Sequence, residues 1–183
     1  MNKTRKKNKT PFNPEDYKSN DGMLTSIWGP SLWHVLHTMS FNYPTQPSKD
    51  EKIHYRDFIL NLKYTLPCGK CRENLKKNIK ELPLQMKNMD SRETFSKYVY
   101  DLHELVNKML GKKSGLSFEE IKDRYEHFRA RCVNEKIQTK LENGCIKPLY
   151  GKKSKCIMKI VPHDKKGQSL EIDKRCIKRR NPK

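Results

Sequence analysis

Two cysteines separated by two residues, Cys68-Gly69-Lys70-Cys71, are the most chemically pointed feature of this sequence. The spacing suits a dithiol/disulfide couple, half of a zinc site, or a pair of structural cysteines. Four further cysteines, Cys132, Cys145, Cys156 and Cys176, stand 13, 11 and 20 residues apart, so none forms the second close pair that zinc usually takes. Pro67 suits a first helical turn, which predicts Cys68 in that turn and Cys71 one turn on. The two sulfurs then share a face, and the free amide donors and dipole of the helix start favour a thiolate. That arrangement favours the redox reading, and no metal ligand is assigned. A thioredoxin-type site is disfavoured, because its CxxC follows a buried strand and no β-branched run precedes Cys68. His37 and His103 fall on apolar helix faces, where they read either as satisfied core residues or as neighbours of a planar cofactor held between helices.

The elements that must position these residues are helical. Trp28-Gly29-Pro30-Ser31 predicts a helix start, after which Trp33, Leu36, His37, Ser40 and Phe41 recur at helical spacing until Pro44 and Pro47. Ser48 and Glu51 form a capping box for a second helix with Ile53, Tyr55, Phe58, Ile59 and Leu62 on one face, ending before Pro67. A third runs from Pro67 through Leu75, Ile79 and Leu82 to Pro83. Asp90 with Glu93 predicts the cap of a fourth, carrying Phe95, Val99, Leu102, Leu105, Val106 and Met109, with Gly111 in the left-handed closing position. Ser117 with Glu120 caps a short fifth through Ile121, Tyr125 and Phe128. The fold class is therefore all-α, a four-helix bundle plus a short fifth helix.

Composition divides the 183 residues into three parts. Residues 1–27 hold six basic and three acidic residues with little apolar content, which predicts a flexible basic arm. Residues 28–130 hold both tryptophans and five of the six phenylalanines, enough for one core domain. Residues 131–183 carry 16 basic against 5 acidic residues and form a basic, cysteine-containing extension. A mean hydropathy of −0.99 without a long apolar run excludes a membrane span, and the basic start with no apolar stretch behind it predicts no export signal.

The runs Trp33-His34-Val35-Leu36-His37-Thr38-Met39-Ser40, Tyr43-Pro44, Leu66-Pro67-Cys68-Gly69-Lys70-Cys71, Leu102-His103-Glu104-Leu105-Val106-Asn107, Leu110-Gly111-Lys112 and Asp123-Arg124-Tyr125 together resemble the Erv/ALR family of FAD-linked sulfhydryl oxidases. The resemblance covers roughly residues 28–130 and implies the same helical fold. It implies that thiol-containing protein substrates exchange with the Cys68/Cys71 disulfide, Cys68 being the accessible interchange cysteine. Cys71 would lie against FAD, and molecular oxygen would leave as hydrogen peroxide. By the same resemblance Trp33, His37, His103, Val106, Asn107, Lys112, Arg124 and Tyr125 line the cofactor, and Gly29, Ser31, Tyr43 and Tyr100 complete the set. No GxGxxG is present, consistent with a family that uses no Rossmann site. Four positions depart from the family pattern: Pro30 stands for a frequent Arg, Tyr100 for a frequent Cys, Glu104 for a frequent Asn and Tyr125 for a frequent Trp. The family also implies a homodimer.

In the extension, Lys155–Val161 and Ser169–Ile177 read as short β-like runs around the polar turn His163–Gln168. A hairpin centred on Lys166 sets Cys156 opposite Cys176, which predicts a Cys156–Cys176 disulfide with Cys132–Cys145 as the second; reduced cysteines or an oddly spaced zinc site are the alternative. The resemblance allows Cys132/Cys145 to act as a shuttle disulfide. Leu149–Cys156 looks like tails of versions from large nucleocytoplasmic DNA viruses, which implies host cytoplasm or the virion. Gly151-Lys152-Lys153-Ser154 lacks the upstream glycine and the strand-to-helix context of a phosphate loop. The competing reading is a basic zinc- or nucleic-acid-binding virion or interaction protein, in which the extension contacts phosphates or acidic surfaces.

Overall fold

Residues 13–133, 144–150, 154–162, 164, 172–173 and 176 are described by the structure, a computed structural model. Its helices are α1 (Pro14–Tyr17), α2 (Thr25–Phe41), α3 (Lys49–Thr65), α4 (Gly69–Glu81), α5 (Arg92–Met109) and α6 (Phe118–Glu126), with a 3₁₀ turn at Met86–Met89. Local side-chain caps start every helix but α2. Ser48 accepts the Glu51 amide at 3.2 Å while Glu51 accepts the Ser48 amide at 2.8 Å, and Ser117 with Glu120 repeats the device at α6. At α5 the cap lies one residue later than Asp90: Ser91 accepts the Thr94 amide at 3.1 Å. Asp90 and Glu93 are used elsewhere, pairing with Lys52 at 2.7 Å and Lys122 at 3.0 Å. Gly111 has φ +66°, the left-handed closing position that a glycine takes without strain.

Helices α2 to α5 form the bundle and α6 is the short fifth helix. α2 packs on α5 and α6, α3 on α4, and α4 on α5, with the 3₁₀ turn wedged against α3 and α5. The amphipathic stripes meet in one core that includes Leu36, Tyr43, Ile59, Leu75, Met89, Phe95, Tyr98, Val99 and Leu102. Tyr43 is fully buried at the far end of α2, its ring 4.8 Å from Tyr55 and 4.9 Å from Phe95, and its hydroxyl donates to the Met89 carbonyl at 2.9 Å.

Besides α5, two more helix starts differ from the sequence expectation. α2 begins at Thr25, inside the predicted arm, and carries Pro30 in its interior. Leu24 offers no side-chain cap; tertiary bonds fix this start, the Met23 amide donating to the Pro67 carbonyl at 2.8 Å and Trp28 Nε1 to the Met23 carbonyl at 3.1 Å. α1 is a further turn within the predicted arm, held by an Asn13/Asp16 capping box. α4 begins at Gly69, leaving Pro67 outside and Cys68 as its N-cap.

The extension also folds differently. Its hairpin is β1 (Ala130–Val133) against antiparallel β2 (Gly144–Pro148), with a bulge between Arg131 and Val133, and Leu149 donates to the Arg129 carbonyl at 2.8 Å. Residues 154–162 form no strand, and Cys156 and Cys176 are both free, so the Cys156–Cys176 disulfide does not form. The apolar side chains after Cys156 (Ile157, Met158, Ile160 and Val161) are all exposed, so no packing partner sets up a strand there, and Cys156 is exposed as well. Cys145 is disulfide-bonded. The side chain of Cys132, its expected partner, and most of the predicted His163–Ile177 arm lie outside the described residues. No helix among the described residues is long and apolar enough to cross a membrane.

Phe95 joins the rings of Tyr43 and Tyr55 at the closed end of the bundle. Phe95→Ala is expected to cost about 3–5 kcal/mol of unfolding free energy, measured by denaturant titration, because the cavity it leaves is walled by helices that cannot collapse.

Candidate active site

Cys68 and Cys71 are joined to each other, so the bundle presents a disulfide at the N-terminus of α4. Cys68 has extended φ/ψ and caps the helix through sulfur: its Sγ accepts the Cys71 amide at 3.1 Å. The free amides and positive dipole end of α4 therefore face a sulfur that becomes a thiolate on reduction. Arg72 adds positive charge nearby, its guanidinium donating to the Leu66 carbonyl and lying against Gly69. Both cysteines are half-buried.

The chain before α2 straps this corner. A Cβ on Gly22 would lie 2.9 Å from the Pro67 carbonyl oxygen and 3.0 Å from Cys68 Cα, so only glycine permits the approach. Thr25 Oγ1 stands 3.5 Å from Cys71 Sγ. Neither residue was singled out from the sequence, which assigned both to the arm. The signal available was local: Asp21-Gly22 is a turn dipeptide, and Thr25-Ser26 are cap-forming types ahead of an apolar run.

Two turns further along α2, a seam of rings joins α2, α5 and α6. Trp33 stacks on His103 with centroids 3.9 Å apart and planes 5° from parallel, and the His37 Nε2 and His103 Nδ1 nitrogens share one hydrogen bond of 2.9 Å. Tyr125 stacks on Phe41 at 5.3 Å and shares a hydrogen bond of 3.2 Å with His34 Nδ1. Burial drives the His37 imidazole down to about 3, helped by His103 and His34. His103 falls to about 4, also through burial, with Glu104 opposing and Lys112 assisting. Both rings are neutral at pH 7. Whichever ring donates in the shared bond, His37 Nδ1 is left buried without a hydrogen-bond partner among the described residues.

The structure gathers Trp33, His37, His103 and Tyr125 into this seam. Val106 lies one turn beyond His103, and Asn107 donates to Glu104 at 3.0 Å. The Lys112 amide donates to the Asn107 carbonyl at 2.8 Å, and its charge is felt at His103. Gly29 is buried one turn before Trp33, and Arg124 is half-buried beside Tyr125 on α6. Three expected site residues have other partners. Tyr43 is in the closed core, Tyr100 donates to the Leu116 carbonyl at 2.9 Å, and Ser31 donates to Met158 Sδ at 3.4 Å. His34 was quoted in the first sequence run without a role; its place three residues before His37 puts it on the same helix face.

Residues 30–126 match the model of the Erv1 / Alr family. A probable FAD-linked sulfhydryl oxidase of Acanthamoeba polyphaga mimivirus is 37% identical over 91 residues, which are 50% of this chain and 64% of that protein. An FAD-linked sulfhydryl oxidase of African swine fever virus (isolate Pig/Kenya/KEN-50/1950) is 34% identical over 99 residues, 54% of this chain and 80% of that protein. The chain thus spans just under two thirds of the mimiviral relative. The crystal structure of the FAD-binding domain of Erv1 from Saccharomyces cerevisiae superposes with a TM-score of 0.51 at 28% identity, covering 56% of this chain and 94% of that one.

His37 and His103 hold fewer protons folded than unfolded once the pH drops below the ordinary imidazole value of 6.5. Stability is therefore expected to fall as the pH is lowered from about 6.5 towards 4, where the unfolded chain gains protons that the native seam refuses. Thermal unfolding across that range checks it, and His37→Leu should make the fall shallower.

Proposed function

Because the chain belongs to the Erv1 / Alr family, we propose that it is an FAD-dependent thiol oxidase that forms disulfide bonds in protein substrates and returns the electrons to dioxygen as hydrogen peroxide. The observation that carries this reading is the Cys68–Cys71 disulfide at the head of α4, packed against the same buried cluster as Trp28, Trp33 and Leu36. The two cysteines bond each other, which argues against the zinc-binding alternative.

The residues of the seam fit a flavin dinucleotide. The unmet Nδ1 of His37 is a buried polar atom of the kind a ligand satisfies, since leaving it bare costs about 1–3 kcal/mol. Trp33, His37, His103 and Tyr125 would supply flat apolar faces, Asn107 a polar contact and Lys112 a cation for the pyrophosphate. When bound, FAD supplies a two-electron acceptor that dioxygen reoxidises. The protein's own part is thiol exchange. A substrate thiolate attacks Cys68, the helix N-terminus stabilises negative charge on the pair, and the buried rings keep water from the seam.

The finer associations follow from the same reading. The chain acts as a homodimer, supported by Ile27 and Val35 on α2 and Phe58 on α3, which are apolar and 41–45% exposed. Its basic extension contacts acidic surfaces or nucleic acid, and it works in host cytoplasm or the virion, a reading supported by its likeness to viral relatives.

Purified protein is expected to be yellow and to consume oxygen with dithiothreitol, and Cys71→Ser should keep the colour while losing turnover. Colourless protein, or full turnover by Cys71→Ser, would count against the assignment. Sedimentation equilibrium should give about twice the 21.7 kDa chain mass.

A further inference from the structure

The two sulfurs of the pair are not served by the same donors. Cys68 Sγ receives the backbone amide of Cys71, whereas Cys71 Sγ meets the side-chain hydroxyl of Thr25 from another helix. We propose that Thr25 donates its hydroxyl hydrogen bond to the sulfur that leaves when the disulfide opens, and so sets how readily the pair is opened.

The inference rests on the thiol-oxidase reading, in which Cys68 is the attacked sulfur. A substrate thiolate attacks Cys68 Sγ; the Cys68–Cys71 bond breaks, a mixed disulfide forms at Cys68, and Cys71 Sγ departs with the electron pair as a thiolate. A second substrate thiolate then attacks the substrate sulfur of the mixed disulfide, releasing the substrate disulfide and the Cys68 thiolate. Exchange runs faster when the leaving thiol has a lower pKa, and a hydroxyl donor favours the charged sulfur. Attack on Cys68 therefore discharges onto the sulfur that Thr25 holds.

The placement of Thr25 is built into the fold. It is the first residue of α2 and is exposed, with its γ-methyl directed at Gly29 and its hydroxyl at Cys71. The preceding residues anchor that turn to the redox corner: the Met23 amide on the Pro67 carbonyl, the Trp28 indole on the Met23 carbonyl, and Gly22 flush against Cys68. These bonds hold the Thr25 backbone beside the redox corner, within reach of Cys71. Residues 22–25 thus work with the CxxC although they lie more than 40 residues from it in sequence.

The test measures the Cys71 sulfur directly. In full-length Cys68→Ser protein, where serine is itself a favoured N-cap, the rate of Cys71 alkylation by iodoacetamide is followed across pH by mass spectrometry of the Cys71 peptide. Adding Thr25→Val should move the midpoint up by about one pH unit, about tenfold less thiolate below it, while Thr25→Ser stays within about twofold of the parent. Thr25→Ala should behave as Thr25→Val, which separates loss of the hydroxyl from any effect of the branched side chain. An unchanged midpoint in both Val and Ala variants overturns the proposal, as does an equal shift in the Ser variant. Flavin colour and oxygen uptake of the unmodified protein report on the oxidase reading separately, so failure of one is not mistaken for failure of the other.

Discussion

Everything chemical in this molecule depends on a sulfur occupying a helix cap. Most N-caps use a hydroxyl or carboxamide oxygen to meet the free amides of the first turn, and at α4 Cys68 takes that place. The cap fixes the direction of Cβ at Cys68 and sets the Cys71 sulfur one turn away, within bonding reach. It also directs the partial positive charge of the helix start at the pair, so that the reduced state is supported by the same amides that begin the helix. A cap residue of any other type would keep α4 and lose the chemistry.

The seam between α2, α5 and α6 runs against the usual economy of a core. Buried imidazoles that burial keeps neutral at pH 7, one nitrogen of which has no bonding partner among the described residues, are costlier than the leucines that would fill the same space. The neighbouring core around Tyr43, Phe95 and Met89 meets its polar atoms internally, and this is the closed end of the bundle. The contrast separates a region whose polar atoms are met within the core from one that keeps a buried, unmet nitrogen, which supports the proposed cofactor site there. Tyr43 lies in the first of these although its sequence run resembles a cofactor-contacting motif.

Much of the bundle was legible because its signals are local. The Ser48/Glu51 and Ser117/Glu120 boxes, the apolar stripes and Gly111 were read from neighbouring residues and stand where expected. Signals shared between two candidates were less decisive. Asp90-Ser91 with Glu93-Thr94 offers two overlapping caps, and Ser91 prevails because Lys52 and Lys122 engage the carboxylates. The start of α2 was misread, since Pro30 points to a later beginning and outweighs the weaker Thr25-Ser26 signal behind the poor cap Leu24; bonds to Pro67, distant in sequence, decide it. The pairing of Cys156 with Cys176 failed for a related reason. A β-like pattern becomes a strand only if a partner buries one face, and the strand pairing described in the extension is Ala130–Val133 with Gly144–Pro148 instead.

By itself, the sequence determined the all-helical class, the CxxC at a helix head and most of the rings that line the seam, because capping, periodicity and motif spacing act over a few residues. Tertiary structure decided which sulfur receives which donor, that Gly22 and Thr25 belong to the redox corner, and that His37 keeps a buried, unmet nitrogen. Those outcomes depend on side chains brought together from separate helices, and no local pattern encodes how two helices meet once their common face is buried.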